Sequence, residues 1–509
     1  MTDLRMGVRG GSRGEAGGGP LAPPLAAGLV FFASGAVLVI EVAGLRLVAP
    51  YLGVTLQTSS AVIGLALAGI AVGAWSGGRF ADQAGPRRLL PIVLVLAGVV
   101  TCVTLPLVRF TGPSLASRDP VSVTILAFIA VFAPSVFLSS VPPMVVKLQL
   151  RDLDRTGTIV GRFSSLGTLG AIIATFLTGF VLLATLPTTA IILGLGGLTV
   201  LIGLALGFTP GSWRRPPAML VLGALLGLLL PPLVPTPCGV ETAYHCATVV
   251  SDPARPTGRY LVMDSLLHSY VDLADPRFLL FSYIQALAST VDVMRPPGQP
   301  LRVLHLGAGG LTMPRYLAAT RPGSSSRVLE VDPGVIALDS SQLALGRVPN
   351  LKVDVEDARL GLKDEAAGGR DLVIGDAFGG LAVPWQLTTR EVVSAVARIL
   401  GAHGVYAVNV IDNPPNRFAH AEAATIAAVF PAVAVVADAS ALSGSGGGNF
   451  VILASEAPLP LPALQASLAG RGSGLEVASG ARFAGFTRGA DVLTDDQAPV
   501  DQLLTPTHR

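Results

Sequence analysis

The chain reads as a multi-pass α-helical membrane domain followed by a Rossmann-like α/β domain that opens with a β-hairpin. Three observations lead there. Of 509 residues, 51% are hydrophobic and only 13% charged, with a mean hydropathy of +0.63. Soluble domains carry about 25% charged residues, so a large part of this chain sits in a membrane. The long apolar runs are confined to the first half, and charged residues return after Pro237. From residue 302 onward, strand patterns alternate with helix patterns, which implies a mostly parallel, doubly wound sheet. The net charge of +2 gives no signal for a nucleic-acid partner.

Residues 1–24 are rich in Gly, Arg and Pro and read as a disordered tail. No cleavage site with suitable flanks follows the first apolar run, so a removable signal peptide is not expected. Residues 25–236 form the membrane domain. Seven apolar segments, near 26–48, 58–80, 89–110, 121–146, 161–185, 188–208 and 217–235, are long enough to cross a bilayer, which takes about 20 residues each. The seventh is the shortest, ended by Pro231, Pro232, Pro235 and Pro237. Arg5, Arg9 and Arg13 precede the first segment, and Arg79, Arg87 and Arg88 lie between the second and third. Lys147, Arg151, Arg155 and Arg162 separate the fourth from the fifth, and Arg214 and Arg215 the sixth from the seventh. The alternate loops offer mainly Arg109 and Arg118. This asymmetry puts the N-terminus in the cytoplasm, and seven crossings then put everything after residue 238 outside.

Glu41 and Arg46 lie in or at the end of the first segment and form a candidate polar site in the membrane. A buried pair that merely holds helices together is the other reading. Gly64, Gly69, Gly73 and Gly77, with Gly167, Gly170 and Gly179, are spaced to let helices approach closely.

Residues 237–509 form the α/β domain, with a β-hairpin region at 237–275 and a nucleoside-binding core at 276–509. CGVETAYHCATVV and GRYLVMDSLLHSYVDL are strands around the polar turn SDPARPTG. A helix is expected near 278–294. Strands are expected at 302–306, 327–331, 351–355, 371–376, 404–410, 431–437 and 449–454. The intervening helices fall at 312–320, 334–345, 388–400 and 417–429. Within this series, LHLGAGG followed by LEVDP is a strand, a glycine turn, a helix and a second strand. Gly307 and Gly309 let backbone approach a ligand closely, and Glu330, about 20 residues on, can accept from both ribose hydroxyls. The dinucleotide pattern needs a third glycine where Thr312 stands, so a single nucleoside fits better than NAD. S-adenosylmethionine or its decarboxylated form is an example of such a nucleoside, and no metal is expected. Asp357 with Ala358 can bind an adenine amino group, and Asp376 closes the fourth strand of the core. An ordinary α/β turn binding nothing is the alternative for each motif taken alone.

Together these segments resemble the spermidine synthase (polyamine aminopropyltransferase) family. The likeness runs through ETAYH, LVMDSLLHSYVDL, LHLGAGG, LEVDP, EDARL, DAFGG and VPWQLTTREV. FFASGAVLVIEVAGLRLVAPYLG, the fifth helix after Gly161 and VLTDDQAPVDQLL resemble bacterial proteins that fuse a major-facilitator-like membrane half to such a domain. GGRFADQAGPRR, through Gly78, Asp82, Gly85, Arg87 and Arg88, resembles a major-facilitator loop, although seven helices are too few for that full fold. The resemblance implies aminopropyl transfer from decarboxylated S-adenosylmethionine to an amine, with Asp376 as catalytic base, and a dimer formed through the hairpin region. Three positions depart from the family. Gly310 and Gly379 stand where it has acids, and His268 where it has glutamine. His268, Tyr283 and Asp412 are therefore candidates for the acceptor pocket, with Asp264 and Asp272 as further carboxylates that could compensate. A changed acceptor pocket also fits a methyltransferase using S-adenosylmethionine. A third reading is a non-enzymatic transporter or sensor with a degenerate nucleoside-binding domain.

Cys102 lies in the third apolar segment and reads as packing. Cys238 and Cys246 flank GVETAYH and form either a disulfide, which needs an oxidising compartment, or two free thiols. A disulfide agrees with the loop charges but places the domain away from a cofactor made in the cytosol. Either the seventh segment does not cross, or the pocket takes a different ligand outside.

Overall fold

The computed structural model describes residues 21–505 apart from 84, 117–118, 151–152, 210–211, 213–217, 230–233, 235, 265, 308 and 379–382. The tail expected at 1–24 falls outside the described residues as far as Pro20, and from Pro23 the chain is helical. Two compact units are present. One comprises the chain to Leu47 with Ser60–Gly112 and Thr124–Pro235, and the other Thr236–Arg509 with Val48–Ser59 and Pro113–Val123.

In the first unit, six described helices are long and apolar enough to cross a membrane. They are Pro23–Leu52, Leu56–Gln83, Pro86–Leu115, Pro120–Gln149, Thr156–Thr185 and Thr188–Gly207. The segment expected as a seventh carries a 12-residue helix, Ala218–Leu229. That is about 18 Å of helix against a hydrocarbon core of about 30 Å. The small residues work as their spacing suggests, but not all of them. A Cβ on Gly73 would sit 2.3 Å from the Val136 carbonyl oxygen, and one on Gly170 2.2 Å from that of Phe31. Gly69, Gly77 and Gly167 are similarly crowded, so the second helix packs on the fourth and the fifth on the first. Gly64 and Gly179, by contrast, face no other group within 4 Å.

The second unit contains two sheets. The smaller is antiparallel, in the order β1 (Val240–Glu241), β2 (Cys246–Asp252), β3 (Arg255–Met263) and β4 (Leu266–Asp272). This is the expected hairpin region. The larger sheet has eight strands: β5 (Arg302–Leu306), β6 (Ser325–Glu330), β7 (Leu351–Val355), β8 (Arg370–Gly375), β9 (Leu400–Asp412), β10 (Ala432–Ala437), β11 (Gly448–Ser455) and β12 (Glu476–Ala478). Their order is β12-β10-β11-β9-β8-β5-β6-β7. From β9 to β7 all neighbours are parallel, while β9, β11, β10 and β12 pair antiparallel. The sheet is therefore mixed. A short connection cannot return a strand in the parallel sense, and the one from β10 to β11 makes that pair antiparallel.

Alternate residues of the central strands enter opposite cores, as a sheet covered on both faces requires. Leu304, Leu306, Val373 and Val408 pack with Phe418 and Phe450. Val303, Leu372, Ile374 and Ala407 pack with Ile284 and Leu287. The chain runs from β5 outward through β6 to β7, then crosses back to β8 on the other side of β5. That reversal opens a crevice at the strands' carboxyl ends, where ligands bind in such sheets.

Candidate functional site

The crevice is framed by the tips of β5, β6, β7 and β8. Gly307 follows β5 with φ +94°, and its amide donates to the Leu329 carbonyl at 2.9 Å. A Cβ there would lie 2.5 Å from the Asp376 carbonyl oxygen, so only glycine lets the tips of β5 and β8 meet this closely. Gly309, at φ +33°, has open space where a side chain would stand. Ala308 lies outside the described residues. Gly310, at φ +70°, backs onto the hairpin sheet, where its Cβ would meet the Ser269 hydroxyl at 2.8 Å. Ser269 bonds the Thr312 hydroxyl at 2.9 Å, and Thr312 donates to the Tyr270 carbonyl at 3.0 Å. The hairpin is thus stitched to the turn.

Glu330 ends β6, and its Oε1 accepts the Asp332 amide at 2.8 Å. Asp357, just past β7, caps a helical turn by accepting the amides of Arg359 at 2.8 Å and Leu360 at 3.1 Å. Ala358, beside it, is buried. Gly307, Gly309, Glu330, Asp357, Ala358 and Asp376 therefore converge on one end of one sheet, as their positions after successive strands require.

Asp376 carries the most distinctive chemistry. Its carboxylate accepts from Asn409 Nδ2 at 3.0 Å and from the Tyr283 hydroxyl, for whose one proton the His268 carbonyl at 3.2 Å competes. Burial pushes its pKa up to about 6, although both hydrogen bonds favour the charged form. Burial and the neighbouring Asp376 charge hold Tyr283 well above the usual tyrosine range. His268 is pushed down to about 4, by burial first and by His245 second, so its ring is neutral at physiological pH. Tyr283 thus stands beside Asp376, while His268 meets Tyr283 through its carbonyl and turns its ring toward His245 at 6.3 Å.

Asp412 has a different place. It is fully buried, its Oδ2 takes the amides of Phe418 and Ala419, and its Oδ1 takes those of Asn413 and Thr505. It holds the start of helix Arg417–Ala427 and the segment at Thr505, which leaves no oxygen for an acceptor. Asp272 is likewise a fold anchor. Burial would raise its pKa, but Arg255 and the amides of Ala274 and Asp275 hold it down to about 2. Asp264, at φ +54°, accepts the Cys246 amide at 3.1 Å and pairs with His245 at 3.0 Å. Gly379 lies outside the described residues. In the first unit, Glu41 and Arg46 share one helix, where five residues put them about 140° apart around the axis, so they do not share a helix face.

Two features had no signal in the local pattern. Asp339, on helix Pro333–Gln342, is fully buried with neither carboxylate oxygen hydrogen-bonded, and burial pushes it up to about 7. Beside it, the buried Arg315 reaches the Gly310 carbonyl at 3.4 Å. Among the described residues, no group of three or more His, Cys, Asp or Glu side chains could hold a metal ion. Cys238 and Cys246 form a disulfide.

No protein-family model matches the chain. A polyamine aminopropyltransferase of Vibrio vulnificus (strain CMCP6) is 29% identical over 163 residues, 32% of this chain and 52% of that protein. A polyamine aminopropyltransferase of Chromobacterium violaceum is 27% identical over 143 residues, 28% of this chain and 54% of that protein. The chain thus spans about half the length of the curated relatives it matches. The crystal structure of a probable spermidine synthase from Corynebacterium glutamicum ATCC 13032 is 28% identical, covering 54% of this chain and 100% of that one, with a TM-score of 0.48.

Proposed function

We propose that this chain, a relative of the polyamine aminopropyltransferases of the spermidine synthase family, transfers an aminopropyl group from decarboxylated S-adenosylmethionine to an amine. Residues 25–236 are its membrane domain and 237–509 its transferase domain. The observation that carries the reading is Asp376, a partly buried carboxylate at a strand tip, poised near pH 6 between Tyr283 and Asn409. An ammonium acceptor must lose a proton before its nitrogen attacks the carbon beside the sulfonium. As the new C–N bond forms, the C–S bond breaks and the thioether leaves. Asp376 takes the nitrogen's proton, and a base is most effective when its pKa lies near the working pH. Glu330 and Asp357 hold the ribose and the adenine amino group, and Gly307 and Gly309 admit the ligand to the backbone. His268 and Tyr283 line the acceptor side.

Methyl transfer from S-adenosylmethionine is the second reading. It is favoured by the neutral His268 and the carboxylate-free Gly310 on the acceptor side, which offer little charge to a dicationic diamine. The full chain in detergent, given either sulfonium and a diamine, decides between them by mass spectrometry. Aminopropylated amine and the methylthio nucleoside support the first reading. Methylated acceptor with S-adenosylmethionine alone moves it to the second. Neither product from a folded, nucleoside-binding protein ends the transferase reading.

The loop charges favour a cytoplasmic N-terminus and an extracytoplasmic transferase domain, which requires that the sulfonium donor, made in the cytosol, be supplied to the outer side. Arg87, at the start of the third membrane helix, bonds Thr209 at 3.2 Å and accepts from Ser212 through its carbonyl at 3.2 Å. Arg109, near the other end of that helix, donates to the Val234 carbonyl at 3.2 Å and to Thr189 at 2.6 Å. The two arginines are separated by about 33 Å of helix, so their partners Ser212 and Val234 lie about a bilayer's thickness apart. The segment that joins them in sequence, which carries the helix Ala218–Leu229, is read as a seventh crossing. The Cys238–Cys246 disulfide suits an oxidising compartment. In intact cells, a membrane-impermeant thiol reagent labels these cysteines only after reduction. Labelling that requires lysis refutes the assignment.

A further inference from the structure

The disulfide closes a short loop whose side chains reach the ribose side of the crevice. Thr242 is the link. Its hydroxyl accepts the amides of His245 at 2.8 Å and Tyr244 at 3.1 Å, and gives its proton to Asp332 Oδ2 at 2.5 Å. Asp332 is buried, caps helix Pro333–Gln342 through the Gly334 amide at 2.8 Å, and donates its own amide to Glu330 Oε1 at 2.8 Å. The Thr242 methyl closes on the next residue but one, since a Cβ on Gly334 would sit 2.4 Å from it. Cys246 anchors the far end of the loop, its amide bonded to Asp264 at 3.1 Å and its sulfur to Cys238.

We propose that Thr242 is a positioning residue for the ribose-binding Glu330, acting through Asp332 and locked in place by the Cys238–Cys246 disulfide. The inference rests on the nucleoside reading of the site. One of the bonds that orient Glu330 comes from the Asp332 amide. That amide is placed by the Asp332 side chain, and the side chain by a charge-assisted bond from a loop with no regular structure between its cysteines except β1. Freed by reduction, the loop has more conformations to leave before it can present Thr242.

The test is calorimetric titration of the full chain in detergent with adenosine and with 2′,3′-dideoxyadenosine, which lacks both ribose hydroxyls. Wild type binds adenosine more tightly. Thr242→Val keeps the methyl packing and removes the proton, so adenosine weakens by about tenfold, the worth of one hydrogen bond to a charged group, while dideoxyadenosine is unchanged. Thr242→Ser restores adenosine binding. Reduction of wild type reproduces the valine variant. Equal weakening of both nucleosides, or of neither, by Thr242→Val overturns the positioning role, and adenosine affinity indifferent to reduction overturns the lock. Wild type that binds neither nucleoside, or does not distinguish them, fails the nucleoside reading itself and takes the inference with it.

Discussion

Replacing Asp376 by Asn should make the protein more stable and inactive at once. The wild-type carboxyl has a folded pKa of about 6 against an ordinary 3.8. The folded state therefore binds more protons than the unfolded state between those values, and stability falls as pH rises from about 4 to about 6, then stays level. Roughly two units at about 1.4 kcal/mol each come to about 3 kcal/mol. The carboxylate keeps some contact with solvent, so a discounted figure of about 2 kcal/mol is used. Asn removes the ionisation and fits the hydrogen bonds. Its oxygen can accept from Tyr283, and its amide can donate to Asn409 Oδ1, which is buried without a partner. Thermal melts of both proteins in detergent at pH 4 and pH 8 read the effect. The variant should match wild type near pH 4 and melt about 5 °C higher at pH 8. Product formation should fall by at least about a hundredfold, the ordinary worth of a general base. A pH-independent difference in melting would refute the burial argument, and retained turnover would refute the base.

Three further outcomes are expected. Tyr283→Phe removes a donor that favours the charged form of Asp376, so the rising limb of the pH–rate profile moves to higher pH and turnover at pH 7 falls by about tenfold. Asp412→Ala, which strips two amides of the following helix and that of Thr505, lowers stability by about 2 kcal/mol without raising KM for the acceptor. Arg321→Met leaves five carbonyls, those of Val291, Asp292, Arg295, Pro296 and Gln299, without their donor. Chemical denaturation should show a loss of about 3 kcal/mol or more.

The side of the site proposed to take a nucleoside was legible because it is built from local geometry. Each of Gly307, Glu330, Asp357 and Asp376 follows a strand, and parallel strands must all end on the same edge of the sheet. The glycine turn, the acidic tip and the alternation of strand with helix are properties of short segments. The six long membrane helices were legible for a similar reason, since apolar length alone decides whether a helix can cross. Asp412 was misread because its partners are remote. A carboxylate after a strand looks the same whether it faces a crevice or the amides of Phe418, Ala419 and Thr505, the last 93 residues away.

What depended on the packed fold was everything that joins distant segments. Local pattern placed Asp376 at a strand tip, but its pKa near 6 comes from burial beside Tyr283 and Asn409, which arrive on other elements. Proline-ended hydropathy left the seventh membrane segment open, and the one observation that bears on it, the Arg109–Val234 bond, joins residues 125 apart. Cysteine spacing alone allowed a disulfide or two thiols, and only the folded loop, which brings the two Cα atoms to 5.0 Å, closes the bond. Periodicity and turn chemistry are set by neighbours along the chain. Charge states, caps and crossings are set by neighbours in space, which no local pattern records.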